Sequence, residues 1–160
     1  MFHILVVDDN DSIRKLMTTY LTRDGYNVLA ASDGLEALDI LETEHIDLMI
    51  VDIMMPNMDG YTLTKELRTS KFNFPILMVT ARESIDDKKK GFMVGTDDYM
   101  VKPIDFDEML LRVSALLRRA KIFNEHKIVV GDVTLDYETL TVSTKTEAFL
   151  LPKKRVLPII

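Results

Sequence analysis

The 160-residue chain contains no cysteine. That excludes a disulfide framework, a thiolate metal site and a cysteine nucleophile, and it agrees with a reducing compartment. No apolar run reaches the ~18 residues that a membrane span requires. Met1-Phe2-His3 enters a strand pattern without the charged leader of a secretory signal. The expectation is a cytoplasmic protein with no membrane partner. Repeats with periods of roughly 20–50 residues and low-complexity tracts are absent as well. The three histidines, His3, His45 and His126, are scattered, which disfavours a histidine metal site. Nor is there the basic excess of an independent nucleic-acid binder. The net charge is −6, with 21 acids against 14 Lys/Arg in residues 1–120 and 5 against 6 in residues 121–160. Lys153-Lys154-Arg155 is too short for a nucleic-acid patch, and Lys88-Lys89-Lys90 reads as a solvated helix face.

What is present describes a soluble globular chain, 47% hydrophobic and 29% charged, long enough for one full domain plus a fragment. Ile4-Leu5-Val6-Val7 reads as a buried strand ending in Asp8-Asp9, followed by cap residues Asn10, Asp11 and Ser12. Ile13, Leu16, Met17, Tyr20 and Leu21 recur with helical spacing as far as Gly25. Val28 to Ala31 is a second strand, and Asp33-Gly34 opens a helix with Leu35, Leu38 and Leu41 on one face. Leu48-Met49-Ile50-Val51-Asp52 has the unbroken apolar character of a strand buried on both faces. Asp59-Gly60 opens a third helix, and Ile76 to Thr80 is a fourth strand. Residues 84–94 suggest a polar fourth helix, and Asp98 to Val101 a fifth strand ending in Lys102-Pro103. Asp105 with Glu108 is a capping box for a last helix reaching Arg119.

Five strands alternating with five helices imply a flavodoxin-like, doubly wound, five-stranded parallel sheet. Residues 121–127 look like a linker. Residues 128–154 carry four short β-type runs separated by turns, an antiparallel meander, and 155–160 form an irregular apolar tail.

Four of the five strands end in a chemical group: Asp8-Asp9, Asp52, Thr80 and Lys102. A parallel sheet brings those ends to one edge. Each alone has a plainer reading: a strand-ending Asp is usually a turn former or a cap, Thr80 a packing residue, Lys102-Pro103 a turn. Their convergence carries the functional one. Three carboxylates within a few ångströms repel by ~4 kcal/mol per pair at 4 Å and an effective dielectric of 20. A divalent cation relieves this, and all-oxygen ligands favour Mg²⁺ or Mn²⁺ over zinc. Asp52 then reads as a nucleophile that accepts a phosphoryl group. Lys102 and the cation neutralise charge, and the Thr80 hydroxyl donates to a phosphoryl oxygen. As Thr80 moves toward that oxygen, Tyr99 rotates inward to fill the space it leaves.

These residues carry a family resemblance. Asp8-Asp9, the loop from Asp52 through Pro56 to Asp59-Gly60, Thr80-Ala81 and Asp97-Asp98-Tyr99 with Lys102-Pro103 resemble a two-component response-regulator receiver domain over residues 3–119. The resemblance implies that Asp52 takes phosphate from a sensor histidine kinase. By it, Asp8, Asp9, Asp52 and the Met54 carbonyl bind Mg²⁺, and Lys102-Pro103 is a cis peptide. Met54 and Arg82 would flank the route of an attacking water. The protein would be a phosphoacceptor with at most slow autodephosphorylation, not an enzyme.

Residues 128–154 resemble the opening sheet of the winged-helix effector in OmpR/PhoB-type transcription regulators. That subfamily implies homodimerisation on phosphorylation through the fourth-helix, fifth-strand, fifth-helix face. Lys88, Asp97, Asp98, Glu108 and Arg112 fall at its salt-bridge positions, and Phe92 and Leu110 at its apolar ones. Lys89 stands where an apolar residue is usual. No helix-turn-helix follows Lys154, so DNA binding is expected of full-length relatives rather than of this chain. It would then act by pairing with an intact regulator or by draining phosphate from the kinase. Two alternatives share the fold. A haloacid-dehalogenase-type phosphatase needs an acid two residues after its nucleophile, where Met54 stands. A flavin or nucleotide binder needs a phosphate loop after the first strand, where Asp8-Asp9 would repel phosphate.

Overall fold

The computed structural model describes residues 1–81, 94–125, 127–130, 133–136, 141–143 and 148–150, with side chains as far as residue 121. Two units divide the chain, Met1–Leu117 and Arg118–Ile160.

The first unit is built on five parallel strands: β1 (His3–Val7), β2 (Asn27–Ala31), β3 (Leu48–Asp52), β4 (Ile76–Thr80) and β5 (Asp98–Val101). Their order is β2-β1-β3-β4-β5. Every residue of β3 and β4 is buried. An unbroken apolar run suits such central strands because both their faces need cover. Alternate residues feed two separate cores, as the two-residue period of a strand dictates. Leu5, Val7, Met49, Val51, Ile76 and Met78 join one cluster with Ala37, Leu41, Leu63 and Leu67. Ile4, Val6, Leu48, Ile50, Leu77 and Val79 join the other with Met17, Leu21, Met109, Val113 and Leu116.

The covering helices are α1 (Asp11–Arg23), α2 (Gly34–Thr43), α3 (Gly60–Thr69) and a last helix, Phe106–Glu125. Their starts are set by side-chain caps that satisfy otherwise orphaned N–H groups. Asn10 accepts from Ile13 N at 3.0 Å, Asp33 from Glu36 N at 2.9 Å and Asp59 from Thr62 N at 2.7 Å. Asp105 accepts from Asp107 N at 3.0 Å and Glu108 N at 3.2 Å. Gly25, at φ 95°, follows α1 in the left-handed region that glycine tolerates. Two details differ from the sequence pattern. Leu35 is exposed, and Ala37 joins Leu41 in the core instead. The last helix continues to Glu125, through most of the segment read as a linker. Nothing in Ala-Lys-Ile-Phe-Asn-Glu, residues 120–125, breaks a helix.

The entry to β5 is fixed by Arg68 at the end of α3. Its guanidinium donates to the carbonyls of Gly95 (3.0 Å), Phe72 (2.9 Å) and Phe74 (2.8 Å), and pairs with Asp97 at 2.9 Å. Asp97 also accepts from Ile76 N at 2.8 Å, so α3, β4 and the β5 entry share one polar knot.

The second unit holds four short strands, β6 (Lys127–Val130), β7 (Val133–Asp136), β8 (Thr141–Ser143) and β9 (Ala148–Leu150). They pair antiparallel in sequence order. All of the expected fourth helix but Val94, including Lys88, Lys89 and Phe92, lies outside the described residues, as do Arg82, His126 and the tail 155–160. Among the described residues no helix is long and apolar enough to cross a membrane.

Candidate functional site

The strand order reverses between β1 and β3, and open α/β sheets form their crevice outside the strand ends at such a point. Asp8, one residue past β1, is 0% exposed. Its backbone is fixed by Asp8 N donating to the Ala31 carbonyl at 3.1 Å and by Arg14 Nη1 donating to its own carbonyl at 2.7 Å. Asp8 Oδ1 accepts from Asn10 N at 2.8 Å, while Oδ2 is buried with no hydrogen-bond partner. Asp9 is exposed. Asp52, the last residue of β3, is 4% exposed. Its Oδ2 accepts from Lys102 Nζ at 2.9 Å and its Oδ1 from Met54 N at 3.3 Å. The Lys102 N–H donates to the Thr80 carbonyl at 2.7 Å, which ties the residue to the end of β4, and the Lys102–Pro103 peptide is cis. Thr80 is buried at the end of β4.

Asp8, Asp9 and Asp52 each offer an oxygen within 4.8 Å of the others. Burial pushes the Asp8 carboxyl above its ordinary value, against the Asn10 N–H and Lys102, which favour the anion; the Asp52 and Asp9 charges raise it further. Burial alone would lower Lys102, but its hydrogen bond to Asp52 and the pull of Asp52, Asp8 and Asp9 hold it above the usual value. The donor set fits a hard divalent cation: carboxylate oxygens throughout, excess negative charge, and one buried acceptor, Asp8 Oδ2, awaiting a partner.

The loop after β3 is closed tightly beneath this set. Gly60 N donates to the Ile53 carbonyl at 2.9 Å. A Cβ on Gly60 would stand 2.6 Å from the Asp52 carbonyl oxygen and 3.0 Å from Ile53 Cα, both backbone atoms that cannot swing aside. Gly60→Ala is therefore expected to destabilise the fold by about 2–3 kcal/mol. Urea denaturation checks this, and an unchanged midpoint would contradict the close approach.

Tyr99 pairs in register with Met78, one strand from Thr80, and its ring is already inside, 7% exposed within the α2/α3-side core. Met54 stands 73% exposed on the loop, whereas Met55 and Met58 pack against that core. Among the positions read as a dimer face, Arg112 Nη1 contacts both Asp98 oxygens at 2.9 Å and Arg112 Nε donates to Glu108 at 2.9 Å. Asp97 is engaged by Arg68, and Leu110 packs on the α1-side core. These charges thus pair within the chain.

Sequence reasoning missed some contacts. It did not find Arg14 bracing Asp8, or Asn57 Nδ2 donating to Asp33 Oδ2 at 3.2 Å. An asparagine between Pro56 and Asp59-Gly60 was the available signal, since asparagine is enriched in left-handed turns, and Asn57 does stand at φ 68°. Nor did it find the histidine pair. His3 and His45 meet edge to face at 6.2 Å between centroids, with His45 Nε2 2.9 Å from Asp47 Oδ1. They lie at the amino ends of β1 and β3, opposite the carboxylates.

Residues 4–114 match the response regulator receiver domain family. The alkaline phosphatase synthesis transcriptional regulatory protein PhoP of Bacillus subtilis is 46% identical over 142 residues, covering 82% of this chain and 59% of that protein. The heme response regulator HssR of Staphylococcus saprophyticus is 34% identical, covering 94% and 66%. The response regulator MprA of Mycobacterium avium is 39% identical, covering 92% and 70%. The chain thus spans about three fifths to two thirds of the length of PhoP and HssR. Among solved structures, a Francisella response regulator receiver domain superposes with a TM-score of 0.72 at 36% identity, covering 74% of this chain and 98% of that one. Vibrio cholerae CheY4 superposes at 0.69 and 36%, covering 72% and 98%.

Proposed function

The chain belongs to the response regulator receiver domain family, with relatives of the OmpR/PhoB type, and from that footing we propose that it is a Mg²⁺-dependent phosphoacceptor switch. Asp52 accepts a phosphoryl group from a sensor histidine kinase. The observation that carries this reading is the buried Asp52 carboxylate, paired with Lys102 at 2.9 Å and grouped with Asp8 and Asp9 within 4.8 Å.

In the transfer, an Asp52 carboxylate oxygen forms a bond to phosphorus as the donor's P–N bond breaks. The released imidazole nitrogen keeps the bonding pair and takes a proton from solvent. Asp8, Asp9, Asp52 and the Met54 carbonyl would hold the Mg²⁺. When bound, the ion supplies positive charge to the transferring oxygens and removes the repulsion among the carboxylates. The Lys102 ammonium gives up its hydrogen bond with Asp52 for one with the incoming phosphoryl group. The Thr80 hydroxyl donates to another phosphoryl oxygen, and the shift is read through Tyr99 at the surface formed with β5 and the last helix. Dimerisation through that surface uses Asp97, Asp98, Glu108, Leu110 and Arg112, with Lys88 and Phe92. It requires some of the intrachain pairs to exchange for intermolecular ones. Transcription control belongs to the whole regulator, and this chain is no enzyme beyond slow loss of its own phosphoryl group. The phosphatase alternative is dropped, because Met54 offers no acid.

Intact-mass measurement after incubation with acetyl phosphate and Mg²⁺ tests the reading. One phosphoryl adduct is expected, absent from Asp52→Asn and from a sample in EDTA. An adduct that survives either control, or none in the parent, overturns it.

A further inference from the structure

The loop that follows Asp52 is anchored at both ends, by Ile53 N on the Val79 carbonyl at 3.1 Å and Gly60 N on the Ile53 carbonyl at 2.9 Å. Its apex is fastened separately, to the start of α2. Asn57 Nδ2 donates to Asp33 Oδ2 at 3.2 Å, and Asp33 uses its other oxygen to cap α2 at Glu36 N. Beside this bond, Gly34 has no side chain, and Met58 fills the space: a Cβ there would lie 3.0 Å from Met58 Cβ and Sδ. The apex is therefore clasped at two adjacent points, by residues 24 positions apart in sequence. An exposed amide–carboxylate bond adds little to stability, because water competes for both partners. Its directional effect remains, since it fixes where the backbone between Met54 and Asn57 can lie.

We propose that Asn57 is a positioning residue for the metal: the Asn57–Asp33 clasp sets the affinity for Mg²⁺ by fixing the loop segment that carries the Met54 carbonyl. The inference rests on the phosphoacceptor reading and deepens it. Met54 cannot place its own carbonyl by packing, because its side chain stands in solvent. Its N–H bond to Asp52 is long at 3.3 Å. Mg²⁺ demands near-ideal octahedral geometry at roughly 2.0–2.1 Å, so a ligand displaced by a fraction of an ångström weakens binding. Among the described contacts, two restraints act on that carbonyl from outside the loop: the packing of Met55 on the α2/α3-side core, which holds the following residue, and the clasp, which holds the apex.

The test uses two substitutions that break the clasp while sparing what else each residue does. Asn57→Gly keeps the left-handed backbone and removes the donor. Asp33→Ser keeps a helix cap and is too short to reach residue 57. Mg²⁺ affinity of the unphosphorylated chain is read by calorimetry. Its half-saturation and plateau in acetyl-phosphate labelling are read by intact mass. Each substitution is expected to raise the dissociation constant severalfold, below the roughly 10–100-fold cost of losing a hydrogen-bond partner of a ligand side chain. The plateau labelling rate at saturating Mg²⁺ and the melting temperature in EDTA stay at parental values. The double variant is expected to match the weaker single one, because a clasp can be broken only once. An Asn57→Gly dissociation constant within twofold of the parent overturns the proposal. So do fully additive effects, which would point to the Asp33 charge instead, and so does a lower plateau with unchanged half-saturation. A parent chain that binds no Mg²⁺ is the separate failure of the underlying reading.

Discussion

Asp8→Asn is expected to resist urea better than its parent in metal-free buffer at pH 7, and to lose Mg²⁺ binding by at least about 100-fold. Both effects come from one carboxylate. Asp8 has no solvent-exposed surface, and its Oδ2 has no partner. Burial raises its pKa above 3.8, with the Asp52 and Asp9 charges adding to the rise. A carboxyl whose folded value lies above its unfolded one binds its proton more tightly in the native state. Below pH 3.8 both states are protonated and no penalty exists. As pH climbs through the raised folded value, the native state must ionise a buried group, and stability falls and stays lower at neutral pH. Asparagine keeps an oxygen for Asn10 N and carries no charge. Its own buried N–H groups limit the gain to about 1 kcal/mol. The advantage should shrink as pH is lowered toward 3.8, and Mg²⁺ should reverse it by binding the parent alone. A variant less stable than the parent at pH 7 in EDTA would contradict the strained carboxylate.

The same residue marks the line between what sequence reveals and what it does not. That Asp8, Asp52, Thr80 and Lys102 converge follows from parallel strands, whose carboxyl ends share one edge. The caps at Asn10, Asp33 and Asp59 are local signals of the same legibility. Which of Asp8 and Asp9 is buried is not local, because it depends on α1 and Arg14 closing over β1. The Asn57–Asp33 clasp joins two loops that sequence separates by a whole strand and helix. His3 and His45 come together because β1 pairs with β3, with Ile4 opposite Leu48. Tyr99 is buried, since the pleat of β5 points it to the same side as its partner Met78. Periodicity fixes which face a residue takes, while contacts between loops depend on the packed sheet.

Lys102→Ala should slow phosphorylation by about 10²–10³-fold, the cost of removing one preorganised donor from developing charge, and should at the same time tighten Mg²⁺ binding. In the metal-free chain the ammonium acts as resident cation, 2.9 Å from Asp52 Oδ2. Burial disfavours its charge, but the Asp52 hydrogen bond and the attraction of Asp52, Asp8 and Asp9 outweigh that and raise its pKa above 10.5. It is therefore charged throughout the working range, and the stability it contributes is present below pH 10.5 and lost as pH rises through the folded value. With a quarter of its side chain exposed, water screens much of that contribution, so the loss in stability should be modest. Metal binding responds with the opposite sign. A divalent ion entering the parent site meets a carboxylate already partly neutralised, and in the variant it meets the full negative charge. Calorimetry on the metal-free variant should show a lower dissociation constant, while an intact-mass time course with acetyl phosphate at saturating Mg²⁺ shows the slower transfer. Were Mg²⁺ to bind more weakly, the ammonium would be organising the carboxylates for the metal rather than competing with it. Were labelling unaffected, Lys102 would be only a counter-ion. A chain that holds its metal more tightly and accepts phosphate more slowly would separate neutralising Asp52 at rest from stabilising the group it receives.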